Sequence, residues 1–350
     1  MISVTIVTWN SAGPLRECLD SIQRQTFPDI EVIIVDNAST DDTLSLLKQT
    51  NPAWRVIFNP RNTGFAAGQN QAIRASSGSW VLCLNPDVVL HKDFVSQLVA
   101  PGNAYPDVGG LCGKLLRWHS PNEPRHPEII DSTGIYFTRN MRHLDRGAEE
   151  PDHGQYDRAQ YVFGATGAAA LFRREFIDAV SVDGQFFDEE FFSYREDADL
   201  AWRAQLMGQK YLYTPSAIAW HVRRVTPERR EQLPFEINWH SLKNRWLMRA
   251  KNASGWLCWR LFFPLAWRDL LIFGHALLRE PRMLSACLYC WRSDVRARVA
   301  RKRAIIQERR KVSDRDLLWW FSNTPRAIDA GVIGDRSRLA ADVSLAEDRR

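Results

Sequence analysis

Trp80-Val81-Leu82-Cys83-Leu84-Asn85-Pro86-Asp87 decides the fold, because an unbroken apolar run of strand length that stops on a carboxylate is how an α/β sheet presents an acid to a ligand. Open parallel sheets bind ligands at the carboxyl ends of their strands, so Asp87 is placed for chemistry and not for packing. Two earlier runs end in the same manner: Ile2-Ser3-Val4-Thr5-Ile6-Val7-Thr8-Trp9 on Asn10, and Glu31-Val32-Ile33-Ile34-Val35 on Asp36-Asn37. Three strands then deliver polar groups to one edge. That edge is the expected active site.

The segments between these runs read as helices. Leu15, Cys18, Leu19 and Ile22 recur at helical spacing, and Thr40 to Leu47 does likewise. Ser39 or Thr40 is expected to cap the second helix, with Asp41 and Asp42 in its first turn, where the helix dipole favours negative charge. Arg55-Val56-Ile57-Phe58-Asn59 predicts a third strand, followed by a glycine-containing loop and a helix to Ser76. The result is a β-α-β-α-β-α-β series, a nucleotide-binding type of sheet. Further on, Glu196-Asp197-Ala198-Asp199 opens a helix that stops at Gly208. The fold alone names no reaction.

At 350 residues, 45% hydrophobic and 25% charged, the chain has the composition of a folded soluble protein with one large domain and an appendage. The cysteines at 18, 83, 112, 258, 287 and 290 lack disulfide-like spacing, which suits a reducing cytoplasm, and the lone Cys287-Leu-Tyr-Cys290 reads as packing. The chain starts directly on strand one, so no secretory signal is expected. Its longest hydrophobic stretch, 256–278, is interrupted by Arg260, Arg268 and Asp269, so no membrane-spanning helix is expected either.

Charge is unevenly spread. From His221 to Lys311 there are 21 lysines and arginines against 7 acids, a net of +14, whereas the whole chain is +5. That segment also holds Trp239, Trp246, Trp256, Trp259, Trp267 and Trp291, interleaved with Leu, Phe and Arg. Such a composition suits helices lying on an anionic membrane surface, with Arg296, Arg298, Arg301 and Arg303 as contacts. The alternative is helices packed on the catalytic domain with a solvated basic side. No nucleic-acid motif accompanies the charge, so no nucleic-acid partner is expected.

Seven pieces, in order, resemble the inverting glycosyltransferases of family 2, most closely rhamnosyltransferase-like bacterial members. They are Val7-Thr8-Trp9-Asn10, Val35-Asp36-Asn37-Ala38-Ser39-Thr40-Asp41, Asn62-Thr63-Gly64-Phe65-Ala66-Ala67-Gly68-Gln69-Asn70, Leu84-Asn85-Pro86-Asp87, residues 184–192, Glu196-Asp197-Ala198-Asp199-Leu200 and Ala219-Trp220-His221. The resemblance implies a GT-A fold: an α/β protein with a mixed, mostly parallel sheet flanked by helices, here with a C-terminal helical extension. It divides the chain into a catalytic domain (1–230, with a nucleotide-sugar half 1–105 and an acceptor half 106–230), a basic, Trp-rich helical region (231–325) and a polar, disordered tail (326–350).

The resemblance also implies roles. Asp87 and His221 would hold a divalent cation, Mg²⁺ or Mn²⁺, that bridges the donor diphosphate; Asn85 stands where many relatives carry a first carboxylate, which implies modest metal affinity. Asp197 would be the base that takes the acceptor proton, with Glu196 in reserve and Asp199 holding the helix start. Asp36 would read the nucleobase, with Thr8, Asn10, Asn62, Gly64, Gly68, Asn70 and Asn85 at the donor. Gly164 to Arg174 would line the acceptor end, and the Pro-, His- and charge-rich stretch 117–157 would be a variable excursion near it. Phe186, Phe187, Phe191, Phe192 and Tyr194 are expected either to wall the cleft or to be core, at least three of them core.

The expected reaction moves a sugar, rhamnose from dTDP-rhamnose first, to a saccharide or lipid-linked saccharide acceptor at the inner face of the plasma membrane. A UDP- or GDP-sugar is the alternative donor. A sugar-phosphate nucleotidyltransferase would need a glycine-rich, Arg-containing first loop, which Thr8-Trp9-Asn10-Ser11 is not. A non-catalytic saccharide-binding scaffold is disfavoured by the retained Asp36, Asp87, Asp197 and His221.

Overall fold

The computed structural model describes residues 1–118, 128–222 and 234–322. Strands β1 (Ile2–Thr8), β2 (Ile30–Asp36), β3 (Arg55–Phe58) and β4 (Trp80–Leu84) alternate with helices α1 (Ala12–Gln23), α2 (Thr43–Lys48) and α3 (Phe65–Arg74). There follow β5 (Val88–Leu90), α4 (Phe94–Ala104), β6 (Val108–Arg117), β7 (Ile130–Ser132), β8 (Ile135–Phe137), β9 (His143–Asp145), β10 (Gln160–Val162), β11 (Ala169–Arg173), α5 (Arg174–Val180), α6 (Glu196–Leu206) and β12 (Lys210–His221). Six helices close the described chain: α7 (Phe235–Asn252), α8 (Gly255–Arg260), α9 (Phe262–Leu278), α10 (Leu284–Trp291), α11 (Ser293–Glu308) and α12 (Asp314–Ser322).

The main sheet runs β10-β12-β6-β11-β4-β1-β2-β3, with β5 beside β12 and β7 beside β6. Along that path only β11 and β10 oppose the common direction, so the sheet is mixed and mostly parallel, as its apolar runs predict. The strands β1 and β4 are buried along their whole length; β4 accordingly reads as a continuous hydrophobic run, while β1 buries Ser3, Thr5 and Thr8 among its apolar residues. One face is covered by the apolar stripes of α1 and α4, through Leu15, Leu19, Phe94 and Leu98. The other carries a larger core around Trp202, Phe163 and Phe187.

The C-terminal helices belong to that second core. Leu247, Met248, Leu257, Val295, Ile306 and Phe321 join the same buried cluster as Trp202. Two local expectations are corrected. The second helix starts at Thr43 and not at Asp41, because the Ser39 hydroxyl is spent on the Asp36 carboxylate at 2.6 Å and caps nothing. The segment 117–157 is only partly an excursion: among the described residues it supplies β7, β8 and β9. The tail 326–350 lies outside the described residues. No described helix is long and apolar enough to cross a membrane.

Candidate active site

Register creates the first half of the site. β5 and β12 pair antiparallel with His221 opposite Val88, and the Val222 N–H donates to the Asp87 carbonyl at 2.9 Å. The ladder therefore sets the His221 ring beside the Asp87 carboxylate, Nε2 to Oδ1 3.4 Å. The other ring nitrogen, Nδ1, lies 2.8 Å from Asp131 Oδ2 on β7. Burial opposes charge on His221, but Asp131 and Asp87 outweigh it and push its pKa up to about 10. Asp131 is the residue missed from the sequence; its carboxylate fixes the imidazole so that Nε2 faces Asp87.

These residues fit a divalent cation. Asp87 Oδ1 is buried without a hydrogen-bond partner, and it faces a nitrogen whose ring is already oriented by a second carboxylate. A hard oxygen with one imidazole suits Mg²⁺ or Mn²⁺. Among the described residues no third His, Cys, Asp or Glu joins the pair.

The second half is the acidic pair at the head of α6. Asp197 Oδ2 accepts from the Gly167 N–H at 3.0 Å, and Oδ1 from the Ala198 N–H at 2.7 Å. The two residues are in close contact, and a Cβ on Gly167 would stand 3.4 Å from the Asp197 Cβ, an ordinary van der Waals distance. One residue further on, the Ala168 carbonyl accepts from Asn85 N–H at 2.8 Å, so the β4 end that carries Asp87 and the loop that holds Asp197 are stitched together.

At the head of α6 burial outweighs the helix dipole, which favours ionised carboxylates in a first turn. Burial and the Asp197 charge push the Glu196 carboxyl well above the usual range, and burial raises Asp197 despite its two backbone N–H donors. Glu196 Oε2 is buried and unpaired. The Tyr194 phenol is pushed up to about 12 by burial and by the charges of Glu196 and Asp87. Of the five aromatics, Phe186, Phe187 and Phe191 are core, while Phe192 and Tyr194 are partly exposed.

What holds the pair in place comes from the C-terminal region. Phe192, Tyr194 and Arg195, immediately before Glu196, have φ of 65°, 70° and 70°, a left-handed conformation costly for non-glycine residues. The buried Asn244 amide of α7 donates to the carbonyls of Phe191, Ser193 and Tyr194 at 2.9, 2.9 and 2.7 Å. Asp199 does not hold the helix start; it accepts from Lys251 at 2.9 Å and Asn252 at 2.8 Å, and Lys251 also pairs with Asp188. Lys302 of α11 completes the buried cluster at 2.5 Å from Asp188.

Part of the basic balance is engaged with the catalytic domain. Arg298 pairs with Glu190, Arg301 with Asp183, and Arg303 donates to the carbonyls of Ala250 and Ala253. Three of the four arginines expected to touch a membrane thus have partners within the protein, although Arg298 and Arg301 remain exposed.

The donor edge is also partly reassigned. Thr8 is fully buried and donates to Asp36 Oδ1 at 2.8 Å, so it acts on the edge only through Asp36. Asp36 further accepts from Ser39 hydroxyl and N–H, leaving one lone pair on Oδ2. Asn10, with φ of 48°, clasps the facing loop by accepting from the Thr40 N–H at 2.8 Å. Asn62 closes a turn onto the Gly64 N–H.

Three of the donor expectations meet packing demands within the protein. Gly64 is needed because a Cβ would clash at 2.6 Å with Phe192, and Gly68 because one would meet Val7 at 2.9 Å, so packing alone requires both glycines. Asn70 is buried and exhausted, donating to the Phe187 carbonyl at 2.7 Å and Glu189 at 2.9 Å while accepting from the Phe187 N–H. It fastens α3 to the segment leading to the acidic pair.

A sheet edge that gathers polar strand ends beside an Asp–His pair and a buried acidic pair is the arrangement a nucleotide-sugar transferase on a GT-A fold requires. The family model for glycosyl transferase family 2 matches residues 3–180, and the chain belongs to that family. It is 26% identical over 306 residues to the N-acetylglucosaminyl-diphospho-decaprenol L-rhamnosyltransferase of Mycobacterium tuberculosis, covering 81% of this chain and 96% of that protein. A PGL/p-HBAD biosynthesis glycosyltransferase of Mycobacterium bovis is 36% identical over 147 residues, 41% of this chain and 57% of that one. Among solved structures, GalNAc-T7 with UDP, GalNAc and Mn²⁺ superposes with a TM-score of 0.55 at 15% identity, covering 72% of this chain and 48% of that one. The mannosyltransferase PcManGT of Pyrobaculum calidifontis, with GDP-Man and Mn²⁺, gives 0.50 at 17% identity, covering 88% and 85%. At such identities these two share the fold. The chain is a glycosyltransferase.

Proposed function

We propose that this glycosyltransferase is inverting and metal-dependent, and that it moves rhamnose from dTDP-rhamnose to a saccharide carried on a lipid diphosphate in cell-surface polysaccharide synthesis. The donor and acceptor classes are supported by the mycobacterial rhamnosyltransferase, aligned over nearly its whole length. Such an acceptor has the enzyme working as a peripheral protein on the inner face of the membrane. The reading of the chemistry is carried by Asp197, a carboxylate with raised proton affinity fixed by two backbone N–H groups one bonded step from the Asp87 strand end.

In the reaction, Asp197 takes the acceptor hydroxyl proton as that oxygen bonds to the anomeric carbon, and the nucleoside diphosphate leaves with the bonding electron pair on the opposite face. Asp87 and His221 would hold a divalent cation, which would supply charge stabilisation to the departing diphosphate. Glu196 lies beside Asp197, and each carboxyl is raised by burial, Glu196 also by the Asp197 charge. Asp36, with Asn10 shaping the facing loop, offers its remaining lone pair to a base imide N–H.

The test is turnover with a panel of nucleotide-sugars, with and without Mn²⁺ or Mg²⁺. Preference for dTDP-rhamnose and dependence on metal are expected, with Asp197→Asn losing on the order of a hundredfold or more in kcat. Full activity in excess chelator, or transfer with retained anomeric configuration, overturns the mechanism. Preference for a UDP- or GDP-sugar overturns the donor.

A further inference from the structure

α9 is seventeen residues of nearly uninterrupted hydrophobic sequence, yet most of it faces outward. Phe263 is 84% exposed, Trp267 64%, Leu270 62%, Leu271 53% and Leu278 81%. These positions recur every three to four residues and form one continuous stripe, about 25 Å long at 1.5 Å per residue. The opposite side is pinned to the protein: Asp269 accepts from Arg245 and Arg249 of α7, and Leu265 and Ala276 are buried. The helix therefore cannot turn its apolar side inward.

Neighbouring helices extend the surface. Trp259 of α8 and Trp291 of α10 are each 74% exposed, and Leu288 lies beside Trp291 on α10. Monomeric soluble proteins rarely expose contiguous apolar patches of this kind, and those that do use them to bind something.

The identity of the occupant follows from the rim. Arg260 closes α8, and Arg279 and Arg282 follow α9, all exposed at the two ends of the stripe. A helix that is apolar along one face, tipped with tryptophans and flanked by arginines is matched to a bilayer interface, where rings sit at headgroup depth and cations meet lipid phosphates. Unlike Arg298 and Arg301, these arginines stand on the apolar side of the C-terminal region and not on the catalytic domain.

We infer that the exposed face of α8, α9 and α10 is the surface by which the enzyme lies on an anionic lipid bilayer, α9 in the plane of the interface. The inference rests on the peripheral reading above and assigns it to particular residues. It also replaces the α11 arginines as the contact. α10 joins this face to the site, because Tyr289, one residue from Leu288, bonds the Glu190 carboxylate just ahead of the strained 192–195 segment. A saccharide standing on a lipid carrier in that bilayer is then presented near the base.

The experiment is co-sedimentation of the full chain with vesicles of phosphatidylcholine alone and with added phosphatidylglycerol, alongside light scattering for oligomeric state. The wild type is expected to bind the anionic vesicles. Phe263→Ser with Trp267→Ser and Leu271→Gln should weaken that binding by about tenfold or more, with a melting temperature little changed, since each of these side chains is more than half exposed in the free protein. Arg260→Glu with Arg279→Glu and Arg282→Glu should abolish the preference for anionic lipid. Arg296→Glu, on α11, should change neither. Wild-type binding that survives both sets of changes overturns the assigned surface while leaving the peripheral reading intact. A wild type that ignores vesicles overturns both. A dimer that the serine and glutamine changes split, without altered vesicle binding, overturns the lipid assignment in favour of a second copy.

Discussion

Replacing Asn244 with alanine removes one amide that serves three buried carbonyls, those of Phe191, Ser193 and Tyr194. An NH₂ group has two hydrogens, so about two hydrogen bonds' worth of interaction is lost, and buried acceptors left unpaired cost roughly 1–3 kcal/mol each. The segment they belong to holds three non-glycine residues at positive φ, each a strain of order 1–3 kcal/mol. Clamp and strain are of similar size, so without the clamp the segment relaxes and carries Asp197 with it. A displacement near 1 Å at a reacting group costs on the order of a hundredfold in rate. We expect Asn244→Ala to lower kcat by roughly ten- to a hundredfold with the donor KM little changed, and stability by about 2–4 kcal/mol. Steady-state kinetics below the melting transition, with urea unfolding in parallel, measures both. Asn244→Asp should be worse than alanine, because it points a carboxylate at three carbonyl oxygens. A variant that loses stability but keeps native kcat refutes the positioning role and leaves Asn244 a packing residue.

Glu196→Gln should keep kcat within a few-fold, since Asp197 holds the two backbone N–H contacts and the amide is isosteric with the Glu196 carboxyl, while the acid limb of the kcat profile lies above the ordinary aspartate value of about 3.9. Asp131→Asn should raise the metal concentration needed for half-maximal activity by roughly ten- to a hundredfold while leaving saturated kcat close to native, because it loosens the His221 ring and touches no substrate. Burial would raise the Asp188 carboxyl, but Lys251 and Lys302 outweigh it and hold it well below the usual range. Its folded pKa being the lower one, its contribution to stability is complete above the unfolded value of about 3.9 and is lost as pH falls below it. Urea midpoints between pH 3 and 7 should therefore fall on the acid side, and Lys302→Met should flatten that fall.

The parallel half of the sheet was legible because buried strands are apolar runs and their ends are marked by Asn10, Asp36 and Asp87. The α6 boundaries were legible for a similar local reason, from three acids at one end to Gly208, at φ of 74°, past the other. Asp131 was not, since its link to His221 spans ninety residues and depends on how β7 registers on β6. Gly68 and Asn70 misled because a glycine pressed against Val7 has the same letter as one pressed against a ligand, and an asparagine spent on Phe187 the same letter as a free one. Net charge misled in a comparable way. Counting +14 cannot separate Lys251, Lys302, Arg298 and Arg301, which neutralise acids of the catalytic domain, from Arg260, Arg279 and Arg282 on the outer rim.

Asp188 and Asp199 are buried carboxylates whose closest cations, Lys251 and Lys302, arrive from beyond residue 250, on helices that follow the whole sheet; before them Asp199 has only Arg203, at 4.0 Å. During synthesis the acids and the 192–195 segment are therefore made ahead of the lysines and the Asn244 clamp that hold them. Removing the partner of a buried charge costs about 3–5 kcal/mol, so the nascent chain up to β12 has every donor-side residue and no stable arrangement of its base. The enzyme thus becomes competent late, when α7 and α11 dock. Donor recognition and proton abstraction are separable in the sequence, yet the second is assembled only by the last-made part of the described chain.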